Sequence, residues 1–326
     1  MLVKYPNTIY SFFDWCYSNV IYKKIYEKLG KPRAFDVSLR DGLQGLNIEK
    51  QKKFTTFKKI EVYSDIINKH SPKSLECGSF ASSKIYPVFN DVIDIHTYIQ
   101  NDIHSKQFYT NLNNYVFIPN YMHFCQAIKY KNINNFSFIS SASNEFLVKN
   151  IKTTFDKNYE ELSEITRMLD NLFLKNHNYK TKLYISCINE CPIVGKLNND
   201  EIISKIIKLN ELGFDTICLS DTCGTLEVED FIYIVDKCNE LGIPYRRFSL
   251  HLHVKKGRDD FVEEIIYKAL DRKIINFDVS YLETGGCSVT ISEENLAPNL
   301  SYDLYYRALV NYIIEKADKK IQKARK

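Results

Sequence analysis

Eight short runs rich in β-branched, aromatic and aliphatic residues recur along the chain, at 34–38, 74–77, 115–118, 136–140, 182–187, 216–220, 248–254 and 275–280. The intervals between them mostly carry helical patterns. In 201–212, Ile202, Ile203, Ile206, Ile207 and Leu209 recur at helical spacing before Gly213. Phe231, Ile232, Val235 and Cys238 repeat the pattern before Gly242, and each glycine can take the left-handed conformation that closes a helix. A longer helix is expected within 159–174, and the Asn-rich stretches 111–114 and 132–135 read as turns entering the third and fourth strands. Eight strands alternating with helices and no long linker predict an α/β fold of the (β/α)8 TIM-barrel type. An open doubly wound sheet gives a similar local pattern. Residues 1–30 read as an N-terminal helical extension, 31–300 as the barrel, and 301–326 as a C-terminal helical extension.

Length fits this reading, because 326 residues with 44% apolar content can supply a barrel of about 250 residues and its additions. No apolar run approaches the roughly 20 residues needed to span a bilayer, so no membrane partner is expected. The net charge of +4 comes from 44 basic and 40 acidic residues spread along the chain, which predicts no nucleic-acid partner. The basic cluster Lys319, Lys320, Lys323, Arg325 and Lys326 reads as a solvated helix end. Nine scattered cysteines, an odd number, do not form a disulfide framework, and the first thirty residues lack a secretory pattern. A reducing, cytoplasmic setting is therefore expected.

In such a barrel, residues just past each strand converge on one mouth. That rule gathers Arg40, Asp41, Gln44, Glu76, Ser79, Asp221, Thr222, His251, His253 and Cys287. His251 and His253, two apart in a strand, share one face, while Leu252 points into the helix layer. With the Asp41 carboxylate they suit Mg²⁺, Mn²⁺ or a related divalent ion; core hydrogen bonding and a proton relay are the other readings. Asp41 precedes Gly42, which permits a sharp turn, and it can equally cap a helix or pair with Arg40. Arg40 can aim fixed N–H donors at a carboxylate or a developing enolate oxygen, or serve a structural ion pair. Glu76 is a charge inside an apolar run, best explained by pairing with Arg40. Asp221-Thr222 can fix water or substrate, or cap a helix. Cys287, after Gly285-Gly286, can move a proton from a loop or sit as an apolar buried thiol. Cys187 and Cys191 lack CxxC spacing and a matching pair, which argues against structural zinc.

Five pieces in order now carry a resemblance. They are Arg40-Asp41-Gly42-Leu43-Gln44, Glu76-Cys77-Gly78-Ser79-Phe80, the stretch 186–192, Asp221-Thr222-Cys223-Gly224, and Gly285-Gly286-Cys287 followed by Asn295-Leu296-Ala297. From about residue 33 to 300 the chain resembles the 3-hydroxy-3-methylglutaryl-CoA lyase family, within the wider group of metal-dependent TIM-barrel lyases and acyl-CoA condensing enzymes. The resemblance implies that Asp41, His251, His253 and Asn295 bind a divalent cation, Mg²⁺ or Mn²⁺. It further implies that Arg40 stabilises enolate charge, that Glu76 supports Arg40, and that Cys287 transfers a proton. The implied reaction is retro-aldol cleavage of a small acyl-CoA substrate, with a homodimer as the expected assembly. Leu43 favours this cleavage branch, because related condensing enzymes usually carry Glu there. A related aldolase or condensing enzyme with a different substrate, and a catalytically weak barrel acting as a binding protein, are the other readings.

The chain departs from the family pattern in the surroundings of these residues. It has Val254-Lys255-Lys256-Gly257 where Asp-Thr-Tyr-Gly is usual, Glu294 where Gly precedes the Asn, and Pro298-Asn299 where Thr-Glu is common. The loop from Cys287 to Asn295 is one residue short. Losses around metal ligands cost about 10 to 100-fold in affinity or activity, so this shell bears directly on function.

Overall fold

The eight expected strands form, and each pairs in parallel with its neighbours until the last meets the first. In this computed structural model, which describes residues 5–101, 112–173, 178–282, 284–286, 291–292 and 295–325, they are β1 (Phe35–Asp36), β2 (Ser74–Ser79), β3 (Asn113–Phe117), β4 (Asn135–Ser141), β5 (Lys180–Ser186), β6 (Thr216–Asp221), β7 (Phe248–Leu252) and β8 (Phe277–Val279). Closure is direct: Phe35 and Asp36 of β1 pair with Asp278 and Val279 of β8 on one side and with Ser74 and Leu75 of β2 on the other. The open doubly wound sheet is thereby excluded.

Alternation within each strand divides two environments. In β5, Leu183 and Ile185 are fully buried in the large hydrophobic core, together with Ile202, Ile206 and Leu209 of the following helix. Lys182, Tyr184 and Ser186 alternate with them. Lys182 and Tyr184 reach polar partners inside the barrel, Asp278 and Glu76 respectively. A lumen that holds Glu76, Lys182, His251 and Asp278, all buried, is stable only where such groups are paired.

The helices follow the expected boundaries closely. Asn199–Asn210 begins with the Asn198 side chain accepting from the backbone of Asp200 and Glu201, and Gly213 beyond its end has φ +80°. Val228–Glu240 is followed by Gly242 at φ +97°. The long interval after β4 holds two helices, Asn144–Ile151 and Phe155–Phe173. The Asn-rich stretches run into the strands themselves, since Asn113 opens β3 and Asn135 opens β4.

Two helices, Ile9–Tyr17 and Val20–Lys28, precede the barrel, and one, Tyr302–Ala324, follows it. They meet each other: the Phe12 ring stacks on Tyr306 at 5.7 Å and meets the Tyr26 edge at 5.3 Å. Among the described residues no helix is long and apolar enough to cross a membrane, and the eight described cysteines are free.

Candidate metal centre and active site

β1 is shorter than its apolar run suggested, because after Val37 the backbone enters a π-helical turn, Ser38–Gly42, whose five residues are all buried. Such turns widen the backbone by one residue and are frequent at functional sites. Gly42 packs tightly there, since a Cβ would lie 3.1 Å from Ser280 Oγ and 3.4 Å from Leu282 Cβ. The turn sets Arg40 and Asp41 side by side in the wall of a cavity of about 460 Å³, which His251, His253 and Thr222 also line.

Arg40 is held on every side. Its Nε donates to Glu76 Oε2 at 2.5 Å, its Nη1 donates to Asp41 Oδ1 at 2.5 Å, and its guanidinium lies 5.0 Å from the Phe117 ring and 4.9 Å from that of Tyr184. Burial opposes the charge, but Glu76 and Asp41 outweigh it and raise the Arg40 pKa well above its ordinary value. Glu76 Oε1 accepts from Tyr184 Oη at 2.9 Å and from Ser137 Oγ. The charge found inside the second apolar run is therefore fully partnered in the lumen.

Asp41 and the two histidines offer ligand atoms that all lie within 4.8 Å of one another, and all three side chains are buried. Asp41 Oδ2 is 3.5 Å from His253 Nε2 and 3.8 Å from His251 Nε2. Burial pushes the Asp41 carboxyl upward, but the Arg40 guanidinium and the two imidazoles hold it well below the usual carboxylate range. For His251, burial lowers the pKa, and Asp278 and Asp41 offset it only in part. For His253, burial is outweighed by the Asp41 carboxylate and the pKa rises.

The far nitrogen of each imidazole is tied down. His251 Nδ1 lies 3.1 Å from Asp278 Oδ2, and His253 Nδ1 lies 3.0 Å from the Asp221 carbonyl oxygen. Both acceptors require a proton on Nδ1, which leaves each Nε2 lone pair directed to the Asp41 side. His253 Nε2 is buried without a hydrogen-bond partner. One ionised carboxylate and two neutral-nitrogen donors, one of them unsatisfied in a buried site, fit a divalent cation.

The predicted residues separate into those that meet and those that do not. Arg40, Asp41, Glu76, His251 and His253 come together as described. Asp221 instead accepts from the backbone N–H groups of Thr225 and Leu226, both at 3.1 Å, so its carboxylate organises a turn. Leu43 is buried in a hydrophobic cluster behind the site. Cys287 lies outside the described residues. Asn295 does not join the cluster: it is exposed, and its Nδ2 donates to Ser292 Oγ at 2.9 Å. The amide beside Asp41 belongs to Asn299, whose Nδ2 donates to Asp41 Oδ2 at 3.0 Å. The two asparagines are four positions apart, and the antiparallel bridge from Asn299 to His253 is what brings the second to the site.

Sequence reasoning also missed Asp278 and Lys182. Each is a charge inside an apolar run, the same signal that drew attention to Glu76.

No family model matches the chain. Among curated proteins, the hydroxymethylglutaryl-CoA lyase of Pseudomonas mevalonii is 23% identical over 256 residues, covering 78% of this chain and 77% of its own. The mitochondrial hydroxymethylglutaryl-CoA lyase of Bos taurus is 26% identical over 258 residues, covering 78% of this chain and 72% of its own. Among solved structures, an HMG-CoA lyase from Acinetobacter baumannii in complex with coenzyme A and 3-methylmalate superposes with a TM-score of 0.70 at 22% identity, covering 86% of this chain and 88% of that one. The closed barrel and its carboxylate–imidazole cluster define a TIM-barrel enzyme of the lyase class with a candidate metal-binding triad. Within that class, the chain is similar to the hydroxymethylglutaryl-CoA lyases, at 23% and 26% identity to the two relatives named.

Proposed function

We propose that the protein is a divalent-metal-dependent carbon–carbon lyase that cleaves 3-hydroxy-3-methylglutaryl-CoA to acetyl-CoA and acetoacetate. The observation that carries this reading is the cluster of Asp41, His251 and His253 beside an ion-paired Arg40 at the barrel mouth. Curated relatives named as hydroxymethylglutaryl-CoA lyases support the substrate, and a similar fold solved with coenzyme A and 3-methylmalate supports an acyl-CoA ligand.

Asp41, His251 and His253 would hold the cation, which when bound supplies Lewis acidity toward the substrate hydroxyl and a neighbouring carbonyl oxygen. The hydroxyl proton passes to water in the open cavity, the bond between the hydroxyl-bearing carbon and the carbon next to the thioester breaks, and the hydroxyl carbon becomes the ketone of acetoacetate. The electron pair passes to the thioester side as an enolate. Arg40 is fixed by Glu76, Asp41 and two aromatic rings, so its donors need no reorganisation to meet that charge. Protonation at carbon completes acetyl-CoA, and Cys287 is the proposed acid.

A second reading has a specific observation in its favour. Ile85, Phe117, Ile139, Phe146 and Ile151 give the cavity an extensive apolar wall, which suits an acyl substrate with a longer 3-alkyl substituent than methyl.

The test is release of CoA products by metal-stripped protein before and after addition of Mg²⁺ or Mn²⁺, with His253→Ala as control. Metal-dependent acetyl-CoA and acetoacetate that vanish in the control support the lyase. Folded, metal-loaded protein with no turnover on this substrate but turnover on a longer 3-alkyl analogue selects the second reading.

A further inference from the structure

We propose a second ligand site, at the end of the barrel opposite the mouth, that takes a phosphate monoester. It is independent of the cation reading, because the two cavities share no lining residue.

The first residues of β1, β2, β3, β5 and β6, namely Phe35, Ser74, Asn113, Lys180 and Thr216, ring a cavity of about 290 Å³. That size lies at the lower end of the range for small-molecule pockets. Four cations line it, Arg33, Lys73, Lys180 and Lys182, against two carboxylates, Asp215 and Asp278. Both carboxylates are already engaged. Asp278 pairs with Lys182 at 2.5 Å, and Asp215 Oδ2 accepts from the Thr181 N–H at 2.8 Å and from its hydroxyl at 2.9 Å. Among the described residues, no carboxylate lies within ion-pair distance of Arg33, Lys73 or Lys180. Arg33 Nε donates to the Ser71 carbonyl oxygen at 3.0 Å and Nη2 to Ser71 Oγ at 2.8 Å, while Lys180 Nζ donates to Asn113 Oδ1 at 2.5 Å. These neutral acceptors orient the cations without cancelling their charge.

A second observation points to a ligand. Ser249, on the cavity wall, is 1% exposed, and its Oγ is buried with no hydrogen-bond partner. The Cys218 thiol beside it on β6 is turned to Asp278 Oδ2 at 3.7 Å instead. A buried hydroxyl that no protein group uses, in a cavity with surplus positive charge, offers its O–H to an oxyanion. The Phe35 and Tyr115 rings, 5.1 Å apart, add an apolar side. A phosphate monoester matches all three features: its near-dianionic charge suits the unpaired cations, its terminal oxygens suit the donors, and its organic group suits the rings. A dicarboxylate has charge at both ends and would set one of them against the rings.

Isothermal titration calorimetry of the full-length, metal-stripped protein with phenyl phosphate, inorganic phosphate and succinate tests this. Phenyl phosphate should bind most tightly and succinate least. Lys73→Ala/Lys180→Ala and Ser249→Ala should each weaken phenyl phosphate by roughly tenfold or more. Lys255→Ala/Lys256→Ala, an equally cationic pair beyond β7 at the other end of the barrel, should leave it unchanged. Wild-type protein that does not bind phenyl phosphate overturns the site. So does a loss in Lys255→Ala/Lys256→Ala with none in Lys73→Ala/Lys180→Ala, which would put the anion at the mouth. Succinate binding as tightly as phenyl phosphate overturns the ligand class, and full affinity in Ser249→Ala overturns the role of the buried hydroxyl. Lys73 and Lys180 are exposed, so circular-dichroism melts of their variants should match wild type. If the double variant does not fold, Lys73→Gln alone carries the comparison.

Discussion

His251 Nδ1 lies 3.1 Å from Asp278 Oδ2, and the other oxygen of that carboxylate lies 2.5 Å from Lys182 Nζ. All three side chains are buried, so one line of charge runs along the barrel lumen from Lys182 to the imidazole that faces Asp41. Burial favours a protonated Asp278, but Lys182 and His251 outweigh it and lower its pKa. The carboxylate can then accept from Nδ1–H and keep the Nε2 lone pair of His251 available.

Asp278→Asn should therefore lower divalent-cation affinity by about 10 to 100-fold through the orientation of His251. It should also destabilise the fold by about 3–5 kcal/mol, because Lys182 is left without its buried counter-charge. Adding Lys182→Met should recover much of the stability and none of the affinity. Melting curves and cation titrations on the two variants read these effects separately; a double variant that regains affinity would show that Asp278 acts only on folding.

Arg40→Lys should reduce kcat by about 10² to 10³-fold with little change in KM. A lysine cannot bridge Glu76 and Asp41 together or fill the space between the Phe117 and Tyr184 rings. Steady-state kinetics on the folded variant checks this, and a change confined to KM would assign Arg40 to ground-state binding.

Stability should fall on mild acidification for reasons away from the site. His70 stacks on Tyr302 at 3.7 Å, and burial, with a smaller contribution from Lys69, lowers its pKa to about 4; burial alone lowers that of His96 to about 4. With folded values below the unfolded value of about 6.5, the unfolded chain binds protons first, so this stability is present above that pH and is lost as pH falls through about 4. Asp36 has the opposite sign, because burial raises its pKa to about 7 and its contribution is lost as pH rises through that value. Melting temperature against pH should be flatter below pH 6.5 for His96→Leu than for wild type, and an identical slope would rule His96 out.

Added Mg²⁺ or Mn²⁺ should raise the melting temperature, with a stabilisation of about 2.7 kcal/mol at a hundred times Kd. Asp41→Asn removes the charged ligand and should abolish the shift. An equal shift in that variant would place the cation elsewhere on the protein.

The sequence by itself determined the eight alternating strands and helices and which face of two strands would carry chemistry, while closure into a barrel rather than an open sheet was decided by the pairing of the first strand with the last. Alternation with period two is a local property, so the eight runs, the shared face of His251 and His253, and the inward charge of Glu76 could all be read without knowing which strands meet. The π-helical turn at Ser38–Gly42 could not be read, since an apolar run looks the same whether it continues as a strand or widens into a turn. Nor could the choice between Asn295 and Asn299, because that segment has no periodicity. What distinguishes Asn299 is a bridge to His253 and a hydrogen bond to a residue 258 positions away. The partnership of Lys182 with Asp278, 96 residues apart, likewise exists only once the barrel has closed. Local pattern fixes the direction in which a side chain points, but the group it meets in a low-dielectric interior depends on which distant segments closure brings together, and that was decided by the tertiary structure alone.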